Sequence, residues 1–118
     1  MWAEIDAARA GNHLGDIGHA CQKLAEGAGY GVVREYVGHG IGHMMHEDPS
    51  IQNYGKPGTG PLLEPGMVFA LEPMINMGTP DVVDGLDGWL VSTADGQPSA
   101  HFEKTIAITD GDPIILTT

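Results

Sequence analysis

Between Gly38 and Pro49 the chain reads Gly38-His39-Gly40-Ile41-Gly42-His43-Met44-Met45-His46-Glu47-Asp48-Pro49, imidazoles set among glycines that let a backbone approach a ligand closely. Two later acids, Glu72 in Phe69-Ala70-Leu71-Glu72-Pro73 and Glu103 in Ala100-His101-Phe102-Glu103-Lys104-Thr105, interrupt runs that otherwise suit buried strands. A buried carboxylate needs a partner, and a metal ion is one. His39 with these two acids makes an oxygen-rich donor set, harder than the thiolate or multi-histidine sets of structural zinc and suited to manganese, iron or cobalt. Three protein donors leave coordination positions open, as a catalytic ion requires. Each acid also has a plainer reading. Glu72 could cap amides at a strand end, and Glu103 could face solvent and pair across a sheet. His39, His43 and His46 do not match the H-E-x-x-H spacing of zincins, and the glycines argue against a helix there. His46, ahead of a turn expected at Asp48-Pro49, either serves the structure or donates a hydrogen bond to a substrate carbonyl and the oxyanion formed from it. His13, His19, His43 and His101 have no evident partner and read as surface residues.

The elements that would position these groups follow from periodicity. Trp2 to Ala10 favours helix with a stop at Gly11-Asn12, so the chain opens on what reads as the tail of a helix. Ile17, Ala20, Cys21, Leu24 and Ala28 recur at helical spacing after Asp16, a suitable N-cap, and Gly29 to Gly31 ends the segment. Val32 to Val37 is β-rich and leads into a loop at Gly38 to Gly42. Pro49 to Pro65 is dense in turn formers and reads as a surface loop. Met67 to Leu71, Trp89 to Thr93, Ala100 to Thr109 and Ile114 to Thr117 read as strands, with turns at Asp95-Gly96 and Asp110-Gly111. Short turns between strands imply an antiparallel sheet flanked by helices, one α+β unit over residues 1–118 with no repeat and no low-complexity tract.

Composition narrows the functional classes. Sixteen acidic against five basic residues give a formal charge of -11, which repels phosphate backbones and anionic lipid alike, so neither nucleic acid nor a membrane is an expected partner. The single cysteine, Cys21, falls on the apolar face of its helix and reads as a small core residue, consistent with a reducing cytoplasm. No basic segment leads into an apolar run, and no run approaches the roughly 20 residues of a membrane span, so neither export nor insertion is expected.

Taken in order, Gly38-His39-Gly40-Ile41-Gly42, His46-Glu47-Asp48-Pro49, Pro65-Gly66-Met67, Leu71-Glu72-Pro73-Met74, Trp89 and Phe102-Glu103-Lys104-Thr105 resemble type I methionine aminopeptidase. The resemblance spans nearly the whole chain. It implies the C-terminal half of a pita-bread (creatinase/aminopeptidase) fold, with a two-metal site of cobalt, manganese, iron or zinc at the middle of the sheet. It also implies removal of the initiator methionine from the N-terminal peptides of nascent proteins in the cytoplasm. Position by position, His39, Glu72 and Glu103 match metal ligands, Glu103 bridging both ions. His46 matches the histidine that contacts the scissile region, and Glu72 is also the candidate for moving the proton. Met45 and Trp89 match residues lining the methionine pocket, although most relatives carry Phe where this chain has Met45. A core position is the plainer reading of Trp89.

Members of this family run to roughly twice this length, and the other half carries two aspartate ligands, a further histidine and most of the pocket wall. Neither Asp16 nor Asp81, Asp84 or Asp87 sits at an equivalent position. The expectation is therefore the C-terminal portion of a longer catalytic domain, with Met1 an internal methionine, one incompletely ligated metal site and little or no activity alone. A separate partner that supplies the missing N-terminal half is the secondary alternative to a partial chain. Two alternatives stand beside this reading: a prolidase or proline aminopeptidase, and a non-catalytic pita-bread module that holds peptides.

Overall fold

The computed structural model describes residues 1–117. Two helices, α1 (Trp2–Ala7) and α2 (Leu14–Gly27), precede ten short strands: β1 (Gly31–Val32), β2 (Gly38–Ile41), β3 (Glu47–Ile51), β4 (Val68–Leu71), β5 (Met74–Asn76), β6 (Val82–Asp84), β7 (Val91–Thr93), β8 (Ser99–His101), β9 (Lys104–Ala107) and β10 (Ile114–Ile115). All strand pairs are antiparallel. They form a five-stranded sheet in the order β10-β9-β4-β2-β3, a three-stranded sheet β1-β5-β8 and the hairpin β6-β7. This is the expected α+β arrangement. No helix among the described residues is long and apolar enough to cross a membrane.

The core lies between the helices and one face of the larger sheet. Ile5, Ala8, Ile17, Ile51, Leu63, Phe69, Leu71, Ile106 and Ile108 form one buried cluster. Strand alternation selects the sheet's share of it: Phe69 opposes Ile106 across β4 and β9, and both are fully buried. Each such side chain contributes about 1.5–3 kcal/mol through burial.

Several expected boundaries move. Helix α1 ends at Ala7, short of the expected Ala10. Helix α2 begins earlier than Asp16, with His13 as N-cap. Asp16 occupies the third helical position, and its carboxylate reaches back to accept the His13 N–H at 2.7 Å while also accepting the Gly58 N–H at 2.8 Å. Those two N–H donors hold the Asp16 carboxyl below the usual carboxylate range. The buried face of α2 carries Ile17, Gly18, Cys21 and Ala25, whereas Leu24, expected inside, is 67% exposed. Gly18 explains the rotation. A Cβ there would overlap the Tyr54 and Gln52 carbonyls, so the 52–60 segment lies directly on the helix. The 52–60 segment is thus seated on the helix within the expected surface loop, and that loop starts later than expected because Glu47–Ile51 is strand β3. Pro49 lies within this strand rather than in a turn, which is tolerated because β3 is an edge.

Of the glycine-rich stretch, Gly38–Ile41 is likewise strand β2 rather than a loop, and Gly42 lies in the bend just past it. Gly38 and Gly40 point to the buried side, and a Cβ on Gly38 would overlap the Ala70 carbonyl. The glycines admit a neighbouring strand, not a ligand. Val32 to Val37 shortens to β1 followed by a bend, while β5 and β6 arise where no strand was expected.

Cys21 is a buried core residue as read, and burial, with Glu4 beside it, pushes its thiol up to about 12. The thiol stays protonated at neutral pH, so iodoacetamide at pH 8.5 should leave native Cys21 unmodified and label it fully once urea unfolds the chain. Two glycine replacements test the helix seat. Gly18→Ala should lower stability by about 1–3 kcal/mol despite the intrinsic helix preference for alanine. Gly27→Ala, with open space around it, should raise stability by up to about 1 kcal/mol. Urea midpoints measure both.

Candidate metal-binding site

The site is laid out by register. In β2, His39 faces Ala70 of β4, and Ile41 faces Val68. In β9, Thr105 faces the same Ala70, while Lys104 faces Leu71. Side chains alternate along a strand, so His39, Ile41, Ala70 and Thr105 share the sheet face opposite the core. Glu72 follows β4 and Glu103 precedes β9, each one step past the last ladder pair, which sets the two acids abreast.

The pairing does not stop there. Pro73 O accepts a hydrogen bond from the Phe102 N–H at 3.4 Å, and Met74 then faces His101, Ile75 faces Ala100 and Asn76 faces Ser99. Residues 68–76 and 99–107 are one antiparallel ribbon in unbroken register that passes from the larger sheet to the smaller one at Glu72-Pro73 and Phe102-Glu103. Proline lacks an N–H, which accounts for the break in the ladder at that corner. The single strand expected over Ala100 to Thr109 is therefore two, and the corner leaves Glu103 exposed rather than buried.

Around this corner lies a cavity of about 510 Å³ whose walls include His39, Met45, His46, Glu72, Glu103 and Thr105. His39 Nε2 stands 3.2 Å from Glu72 Oε1, and the Glu72 side chain is 18% exposed. His39 Nδ1 lies 2.9 Å from the Gly40 carbonyl; donating there leaves Nε2 as the free lone-pair nitrogen that a metal needs. The His46 ring sits 4.0 Å from the His39 ring, tilted by 34°. One imidazole and one carboxylate thus meet, with a second carboxylate on the same wall. Among the described residues no group of three His, Cys, Asp or Glu side chains closes around a common point.

Of the residues singled out by sequence, His39, Met45, His46, Glu72 and Glu103 come together, Met45 and His46 on the exposed rim. Trp89 does not line this cavity. It projects from the β6–β7 hairpin, 88% exposed, which removes the core reading. His101, read as an unpartnered surface residue, instead places Nε2 at 3.7 Å from Glu72 Oε2. Its alternation with Glu103 across the corner was the available signal. His43 is exposed as expected but lines the same cavity, whereas His13 and His19 are half-buried, His19 Nδ1 lying 3.3 Å from the Gly55 carbonyl. Sequence gave no hint of Asn53. Fully buried, it donates from Nδ2 to the Glu72 carbonyl at 3.3 Å and so fixes the backbone that carries the acid.

Comparison with known proteins follows the same ground. The model of metallopeptidase family M24 matches residues 1–110. A methionine aminopeptidase from Clostridium acetobutylicum is 54% identical over 113 residues, which are 96% of this chain and 45% of that protein. The crystal structure of methionine aminopeptidase from Rickettsia prowazekii superposes with a TM-score of 0.95 at 50% identity, over 99% of this chain and 48% of that one. The prolidase from Pyrococcus furiosus is more distant, with a TM-score of 0.68 at 25% identity, covering 99% of this chain and 29% of its own. The chain spans about half the length of the curated relatives it matches, 45% of the Clostridium acetobutylicum protein.

Asn53→Ala should cost about 1–3 kcal/mol, because it removes the Nδ2 donor to the Glu72 carbonyl and opens space at a fully buried position. Urea unfolding reads the loss, and a shifted His39 ring resonance in the folded variant reads the displaced acid.

Proposed function

The chain belongs to metallopeptidase family M24, and on that premise we propose that it carries active-site residues of a methionine aminopeptidase, which removes the initiator methionine from new cytoplasmic polypeptides. One observation carries the reading: His39 and Glu72 meet at 3.2 Å on the open sheet face, in a cavity that Glu103 and His46 also line. The smaller likeness to prolidase makes a proline-directed peptidase the weaker reading.

Imidazole with carboxylates fits the divalent ions that a metallopeptidase implies. His39, Glu72 and Glu103 are assigned to hold them, with manganese, iron, cobalt and zinc all compatible with these donors. When bound, such ions polarise a peptide carbonyl and lower the pKa of water. Without a cation, Glu72 and Glu103 would stand abreast as like charges, a pairing that costs stability. His46, on the rim, donates to the carbonyl oxygen after the first residue as negative charge develops on it. Glu72 takes the proton of the attacking water and returns it to the departing amine. Met45, also on the rim, offers an apolar, adaptable wall to a methionine side chain, whereas Trp89, which lines no part of this cavity, is given no role in it.

Because the chain is about half a relative's length, turnover is assigned to the whole protein rather than to these residues alone. The test is hydrolysis of Met-Ala-Ser and Ala-Pro-Ala with added cobalt or manganese, with Glu103→Gln as the background. The 118-residue chain should give no turnover above that variant. Joined to the N-terminal half that the family implies, it should release methionine from Met-Ala-Ser, and Glu72→Gln should lower kcat at least about 100-fold, the usual scale of a general base. Preferential cleavage of Ala-Pro-Ala would replace the proposal with the prolidase reading. Metal binding without turnover of either peptide in the joined protein would replace it with a peptide-binding module.

A further inference from the structure

A second cavity, of about 550 Å³, shares no wall residue with the first. Three of the five basic residues of this acidic chain, Lys23, Arg34 and Lys56, line it. The first wall is a stripe of α2, His19, Gln22, Lys23 and Glu26, whose spacing puts all four on one helix face. The second is the 54–57 segment, fixed where Gln22 Oε1 accepts the Gly55 N–H at 3.1 Å. Arg34 closes the third side, its guanidinium held 4.4 Å over the Tyr54 ring.

The charges within this cavity do not cancel. Glu26, the one acid in its wall, is engaged by Arg34 at 3.6 Å and by Gln22 Nε2 at 3.1 and 3.2 Å. Lys23 and Lys56 have no carboxylate partner among the described residues, although acids outnumber bases threefold in the chain. Two unpaired ammonium groups and a fixed guanidinium around one concavity favour an oxyanion. The volume leaves room for the small molecule that would carry it. The geometry points to a binding site for a phosphate group of a small ligand, formed by Lys23, Arg34 and Lys56. The net charge disfavours an extended phosphate backbone, but a local field of opposite sign still concentrates a compact anion.

The experiment is a titration of the chain followed by amide resonances at constant ionic strength, with pyrophosphate, AMP and adenosine as separate probes. The Gly55 and Lys56 amides should shift saturably with pyrophosphate and with AMP, at roughly millimolar affinity or tighter. The double variant Lys23→Gln/Lys56→Gln should bind about tenfold more weakly, two exposed charge contacts being lost, while Lys104→Gln should bind as the parent does. AMP binding more tightly than pyrophosphate would identify a carried phosphate, and the reverse order a free one; both support the site. No saturable shift, undiminished affinity in the double variant, or adenosine binding as well as AMP would overturn it. The spectra themselves report whether each variant is folded.

Discussion

Strand β2 has no side chain on its buried side at Gly38 and Gly40, and the meeting of His39 with Glu72 on the opposite face depends on that absence. A methyl group on Gly38 would meet the Ala70 carbonyl, separate β2 from β4 and carry His39 away from Glu72. The glycines therefore act through the sheet. They allow a ladder so close that an imidazole on one strand reaches a carboxylate at the end of the next. The core on the opposite face, with Phe69, Leu71 and Ile106 fully buried, supplies the energy that holds this ladder together.

Which residues gather at the corner was more legible in the sequence than how they are placed. Imidazoles among glycines and two acids in apolar runs marked His39, Glu72 and Glu103 because residue type alone limits what such groups do in such company. Their placement needed information that no local window holds. Gly38–Gly42 looked like a loop because glycine is rare in strands, and only the approach of Ala70 shows why a strand needs it there. Leu24 looked buried because the 52–60 segment that turns the helix is distant in sequence. Asn53 was invisible for the same reason: its function is a hydrogen bond to a carbonyl nineteen residues away.

Charge shows the opposite failure. A sum over the chain speaks only for the far field, and it averages away how the few cations are distributed. Folding brings Lys23, Arg34 and Lys56 from three segments to one cavity, a grouping that neither composition nor any run of the sequence contains.

The ribbon that turns its corner at Glu72 and Glu103 also has a mechanical meaning. Both acids sit where one pair of strands leaves the larger sheet and enters the smaller. Leu71 with Lys104 on one side and Met74 with His101 on the other hold the two strands in a single register, so the acids stay neighbours whatever the bend between the sheets.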